Sequence, residues 1–257
     1  GAGRGGHGVD RHRRVQALAH AFEATGHAIY REKAVATLRF IFSKMKKTGP
    51  ASGFFHTWKD GRAQIDAFLE DYAFLIAALT DFFEIDQGQK WLDEAAALTE
   101  FVFSQFFDEK TGFFFFTANS QADLIVRRHD FSDNATPSGN AVMASNLQRL
   151  GLYFDRRDWL SAAQKMLEKL SGRAQKYPLA YPEWARAILL ECTGRQEFVA
   201  TGPLAFEKIG QIREKFLPGR LLVASETGIG SLPLLEGREA FGGETLQPVA
   251  PDVIVKA

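Results

Sequence analysis

Apolar residues recur along this chain at the three-and-four spacing of helices, and the helices they predict are of two kinds. The segments VQALAHAFEATG, DYAFLIAALTDFFEID and SGNAVMASNLQRLGLYF are apolar nearly all round. Each is followed, across a short polar turn, by a segment charged along one side: REKAVATLRFIFSKM, DEAAALTEFVFSQFF and SAAQKMLEKLSG. A helix apolar all round is buried, whereas a half-charged one faces water. Short turns make the two helices of a pair antiparallel neighbours. Gly26 and Gly88 fall where a first helix ends and suit a left-handed cap. The pattern predicts an inner ring of first helices and an outer ring of second helices. PEWARAILLECTG, after Pro178 and Pro182, reads as the next inner helix.

The pairs are copies of one unit. An aromatic residue opens each second helix: Tyr30, Trp91 and Trp159, spaced 61 and 68 residues apart. Four residues on stands Ala34, Ala95 or Ala163, and twelve residues before stands Leu18, Leu79 or Leu147. Repetition at this period predicts stacked helical hairpins. The fold expected is mainly α: an arc of three to four hairpins over residues 15–195, part of an (α/α) toroid. Residues 1–14, with GAGRGGHG and the cluster Arg11, Arg13 and Arg14, are expected to form a flexible or non-native, solvated start. After about residue 195 the helical pattern stops. EFVATG, PLAFEKIGQIREKF and RLLVASE read as strand, helix and strand, so 196–257 is expected to be a small α/β tail ending in an extended apolar run.

Turns within a pair are short, but the connections between pairs, residues 46–69 and 107–136, are long. Both carry glycine followed by aromatic residues and threonine (GFFHTWKDG and GFFFFT), which predicts small β-hairpins. In an antiparallel arc these connections gather at the N-terminal ends of the inner helices, where the helix dipole is positive. Long structured loops are also where function concentrates.

Composition narrows the chemistry. Lys plus Arg and Asp plus Glu are 31 each, so no electrostatic footprint for nucleic acid or an anionic membrane is expected. The one cysteine, Cys192, excludes an internal disulfide and a thiolate metal cluster, and its apolar surroundings predict burial. No apolar run approaches a membrane span, and a cytoplasmic setting is the expectation. No zinc spacing, phosphate loop or nucleotide fingerprint occurs, so no metal or cofactor is expected. Phe is frequent, 23 residues, and has two natural uses: helix seams and a sugar-stacking cleft.

The candidate site therefore lies on the loop-rich face. Asp71 is the expected acid/base, with Asp130 as the second carboxylate and His56 as a proton-transfer partner. Glu70, Trp58, Arg127, His129, Asn140 and Phe115 are expected to orient or stack on a sugar. Bland readings exist for each. Acids in a first helical turn suit the dipole, Ser138 and Gly139 read as cap and close packing, and lone loop histidines are commonly surface residues.

FLEDYAFLIAAL, DGRAQIDAFLEDYAFL, ATPSGNAVMASNLQRL and EFVATGP…LPGRLLVAS carry a resemblance. The chain resembles the C-terminal helical region of the thioredoxin-domain-containing proteins related to spermatogenesis-associated protein 20. The resemblance implies a six-hairpin glycosidase-like toroid, similar to N-acylglucosamine 2-epimerase and unsaturated glucuronyl hydrolases. It also implies further hairpins and an N-terminal thioredoxin-like domain in a longer protein. The family's Trp-Asn-Gly-type helix start would fall near Val9–Arg14, where this chain reads VDRHRR. The function expected is carbohydrate processing or binding, hydrolase- or epimerase-like, with a sugar or uronate ligand. The competing expectation is a non-catalytic enzyme-fold scaffold beside the thioredoxin-like domain.

Overall fold

The computed structural model describes residues 6–48, 53–120, 127–227, 232–235 and 245–249. Seven helices build the arc: α1 Gly8–Thr25, α2 Ala28–Phe40, α3 Leu69–Asp86, α4 Lys90–Phe106, α5 Gly139–Tyr153, α6 Arg157–Lys176 and α7 Pro182–Thr193. A single π turn extends α2 to Met45. The inner helices run α1, α3, α5, α7, each touching the next, and α2, α4 and α6 pack outside. The chain thus folds as part of an (α/α) toroid.

Polarity explains the layering. In α3 only Glu70 and Asp86 escape burial. In α6 burial is a stripe of Trp159, Ala163, Met166, Leu167, Leu170 and Ala174, and the rest meets water. The repeat residues serve this packing. Ala34, Ala95 and Ala163 are fully buried, where small side chains let the outer helix sit close. Trp91 donates its indole N–H to Asp86 across the turn, 2.6 Å, and Trp159 is fully buried. Each fully buried Leu or Phe of this core contributes roughly 1.5–3 kcal/mol.

Helix ends follow local chemistry. Gly26 takes the left-handed conformation, φ 67°. At the end of α3 that conformation falls on Gln87, φ 57°, and not on Gly88. Three hydrogen bonds of the Gln87 amide, to Glu84 O, Leu222 O and the Ala224 N–H, hold the strained residue in place. Gly139 is needed for close approach: a Cβ there would lie 3.1 Å from the Glu70 backbone nitrogen, so α5 starts in contact with the start of α3.

The connections form the expected hairpins. β2 Phe55–Lys59 and β3 Arg62–Asp66 join through Asp60-Gly61, both at positive φ, as a tight two-residue turn requires. β1 Gly6–His7 adds to β2. β4 Phe107–Asp108 pairs with β5 Phe113–Phe114. In the tail, β6 Glu197–Thr201, α8 Ala205–Arg213 and β7 Leu221–Ser225 form a parallel β-α-β unit, with β8 Thr245–Val249 antiparallel to β6. This unit covers the C-terminal ends of α3 and α5: Arg213 donates to Ile85 O, and the Leu222 N–H donates to Tyr153 Oη.

Two expectations are corrected. α1 begins at Gly8, so residues 8–14 are helix, and Arg11 stacks over Phe40 and Arg13 over Phe74. Residue 12 explains why: the His12 side chain is buried, 2% exposed, and anchors that turn. Cys192 is exposed, because α7 buries the Trp184–Ala187–Leu190 side and Cys192 lies off that stripe. The opening residues 1–5 and the terminal apolar run from 250 lie outside the described residues, as do 49–52 and 121–126 of the two long connections. No helix among the described residues is long and apolar enough to cross a membrane.

Candidate functional site

At the loop-rich end the structure brings two of the three expected catalytic residues together. Asp71 is the third residue of α3 and nearly fully buried. Its Oδ2 accepts from the Phe68 N–H at 2.9 Å, closing the helix start, and lies 2.8 Å from His56 Nδ1 on β2. The hydrogen bond to Asp71 raises the His56 imidazole above its ordinary value, against the pull of burial. Glu70, half-buried one residue away, adds to that field. A buried carboxylate that fixes a histidine's orientation is a form general base catalysis uses.

The remaining expected residues are mostly committed to packing. The Asn140 amide is fully buried and pairs with both backbone groups of Phe114, 2.8 and 2.9 Å, and with Asp130 O at 3.1 Å. It splices β5 to the start of α5, with its amide N–H groups spent on backbone carbonyls. Arg127 donates to the carbonyls of Thr117 and Gln105 and to Asn119, with its guanidinium 3.9 Å over Phe115. His129 stacks on Phe115 at 4.5 Å and lies 3.2 Å from Asp108. Trp58 packs edge-on against Phe40 at 5.4 Å. Asp130 enters this packing through its backbone carbonyl, which accepts from Asn140. The aromatic run turns inward: Phe113 and Phe114 are buried and Phe116 stacks on Phe68 at 4.8 Å.

A different face carries the larger cleft. It encloses about 770 Å³ on the concave side of the arc. Each inner helix turns one stripe into it. α1 supplies Arg13, Gln16, His20 and Glu23, and α3 supplies Phe74, Ala77, Asp81 and Glu84. α5 adds Val142, Ser145 and Arg149, and α7 adds Glu183 and Arg186. The spacing of three and four residues places each set on one helical side.

The stripes lock together. Arg149 donates to Asp81 at 2.6 Å and to Glu84 at 2.9 Å. Gln16 donates to Asp81 at 2.7 Å, and Tyr153 Oη donates to Glu84 at 2.9 Å. The two carboxylates are driven apart. Burial works to raise both; Arg149, His20 and Gln16 outweigh it at Asp81, which is held below the usual range. At Glu84 burial and the neighbouring Asp81 charge prevail over Arg149, and the carboxyl is pushed up. Asp133 is a further residue missed in sequence. Its two oxygens accept the N–H groups of Ser138 and Glu183, 2.7 and 2.8 Å, and so cap α5 and α7 at once. The signal that marks the cleft in sequence is the presence of Asp81, Glu84 and Arg149 on helices otherwise apolar all round. Among the described residues no cluster of three His, Cys, Asp or Glu side chains could hold a metal ion.

No family model matches the chain. It is 30% identical to spermatogenesis-associated protein 20 of Mus musculus over 222 residues, 80% of this chain and 28% of that protein. It is 32% identical to the Rattus norvegicus protein of the same name over 164 residues, 62% and 21% of the two chains. The chain therefore spans less than a third of the length of these relatives. Cellobiose 2-epimerase from Bacillus thermoamylovorans superposes with a TM-score of 0.53 at 17% identity, over 64% of this chain and 44% of that one. A GH76 alpha-mannanase from Bacteroides thetaiotaomicron gives 0.54 at 19%, over 65% and 44%. At such identities the solved structures establish a shared six-hairpin, epimerase- and glycosidase-like fold.

Proposed function

We propose that this chain, a homologue of spermatogenesis-associated protein 20, forms one wall of a sugar-binding cleft in a carbohydrate-processing toroid. The observation that carries the proposal is the concave cleft itself, with carboxylates, guanidinium groups and amides presented from four successive inner helices. Planar polar side chains held rigidly by one another suit the paired hydroxyls of a sugar, and Phe74 offers an apolar face beside them. Sugar-processing neighbours of the same fold support the reading. Hydrolase- or epimerase-like acid–base work at the loop-rich end would use the His56–Asp71 pair, which stands outside the lining of the concave cleft. The proposal places a thioredoxin-like domain and the remaining hairpins elsewhere in the same polypeptide.

A second reading, a non-catalytic scaffold with an enzyme fold, is favoured by one observation. Asn140, Arg127 and His129 are engaged in packing the loop-rich end, and the Phe113–Phe116 run fills it. Calorimetric titration of the chain with neutral and acidic mono- and disaccharides separates the two. Saturable binding that Phe74→Ala weakens supports the cleft. Turnover of a bound sugar that His56→Gln abolishes while binding persists supports the acid–base role. Absence of binding across the panel overturns the sugar reading and leaves the scaffold.

A further inference from the structure

The positive and negative groups of the concave cleft do not balance, and the imbalance is localised. Arg149 is matched by Asp81 and Glu84, Arg186 by Glu183 at 2.5 Å, and Arg220 by Glu23 at 2.6 Å. Arg195, which follows α7, forms no ion pair among the described residues, although the Glu84 carboxylate is near enough to act on its charge. Its one hydrogen bond goes to the side-chain oxygen of Gln148, long at 3.4 Å. Yet Arg195 is only 8% exposed and lines the cleft. Burial, and then the charges of Arg149 and Arg186, lower its guanidinium to about 10. Close by, Arg213 also forms no ion pair among the described residues, donating to Ile85 O and lying over the Phe22 ring. Arg220, paired through one nitrogen, leaves its buried Nε without a partner.

An uncompensated buried cation costs several kcal/mol unless something negative joins it. A guanidinium presents five donors in a fixed fork that matches a carboxylate or a phosphate. Arg195 uses one of these donors, weakly, and its neighbour Arg186 reaches the same wall of the cleft through its bond to Ser145 Oγ, 3.3 Å. Neutral hydroxyls could hydrogen-bond here but would leave the charge unmatched.

We propose that the Arg195–Arg186 end of the cleft binds the anionic group of a charged sugar, a carboxylate or a phosphate. This rests on the sugar reading above and assigns the class of sugar. The hydroxyls of the same molecule then lie along the Asp81–Arg149–Gln16 network, which already holds planar donors and acceptors in place.

The test is calorimetric titration of the chain with galacturonate and glucose 6-phosphate, with galactose and glucose as neutral partners and inorganic phosphate as a bare anion. A charged sugar is expected to bind at least tenfold more tightly than its neutral partner, with the margin shrinking as salt is raised. Arg195→Gln is expected to abolish the margin, and Arg195→Lys to keep part of it. Which of the two charged sugars wins identifies the anionic group. The ligand-free Arg195→Gln chain is expected to melt no lower than the parent, because a buried unmatched charge has been removed. A melting temperature several degrees lower would make Arg195 a structural residue and overturn the proposal. Neutral sugars binding as tightly as charged ones would overturn it while leaving the sugar reading intact. Inorganic phosphate matching glucose 6-phosphate would keep the anion site and overturn the sugar reading. No binding at all overturns both.

Discussion

Acid should destabilise this fold through His12, and the size of the effect follows from its burial. His12 lies on the first inner helix, 2% exposed, with neither ring nitrogen hydrogen-bonded among the described residues. Burial above all, then the charges of Arg11 and His56, depresses its folded-state pKa from 6.5 to about 3. Below pH 6.5 the unfolded chain takes up a proton that the folded chain refuses, so stability is lost as pH falls from 6.5 towards 3. Each pH unit in that window costs about 1.4 kcal/mol, and the step from pH 7 to pH 5 costs about 2 kcal/mol. The neighbouring His56 has the opposite sign. Its raised pKa contributes stability that is complete below 6.5 and fades as pH rises through the folded value, so the two windows do not coincide. Urea denaturation of the parent and His12→Leu at pH 7 and pH 5 measures the difference. The parent should lose about 2 kcal/mol more than the variant between the two conditions. Parallel losses in the two proteins would show that His12 is not the acid-sensitive group and that its burial does not depress its charge.

Four further perturbations test the packing. Asn140→Ala strips the partners from the buried Phe114 N–H and carbonyl and from Asp130 O, and should cost about 2–4 kcal/mol by chemical denaturation; a loss below about 1 kcal/mol would mean the splice is not formed. Arg149→Ala leaves Asp81 and Glu84 buried without their cation and should cost about 3–5 kcal/mol at neutral pH, with part recovered at pH 4 as the carboxylates protonate; a pH-independent loss would contradict the network. Gly139→Ala should destabilise by about 1–3 kcal/mol through the Glu70 backbone and the Leu69 side chain. Gly172→Ala, on the exposed side of α6 with nothing in reach, should raise the melting temperature, gaining about 0.5–1 kcal/mol of helix propensity.

The hairpin repeat was legible because helix polarity and turn length are local properties. The alanines four residues after Tyr30, Trp91 and Trp159 could be read as the close-packed seam they prove to be. The placement of His56 and Asp71 on one end also followed from topology, since antiparallel pairs force the long connections together. What pattern could not supply was which way a loop side chain points. Asn140 is polar, the second residue of an inner helix, and equally suited to a ligand or a backbone edge. Only the arrival of β5 opposite it decides for the backbone. The helical start of α1 is hidden in the sequence for a related reason: GVDRHRR is charged, and its helical state depends on His12 being covered by other segments.

The concave cleft carries no loop signal: function concentrates in loops as a general tendency of globular folds, whereas an arc of helices has a second kind of surface. Each inner helix must bury most of its circumference against two neighbours and an outer partner, and apolar residues suffice for that. A polar residue there improves nothing in the packing, because a buried ion pair seldom stabilises more than apolar side chains of the same volume. Asp81, Glu84 and Arg149 therefore need a reason beyond the fold, and the geometry supplies one. They fall on the single side of each helix that no neighbour covers, and they bond to one another across helices and not along them. Their charges are paired within the cleft wall and their geometry is fixed in advance, which is the condition under which polar groups recognise a polyhydroxylated ligand without being reordered by it. Arg195 departs from this pattern by forming no ion pair among the described residues, and the position of that departure, on the same cleft wall, is what gives the site a preferred charge.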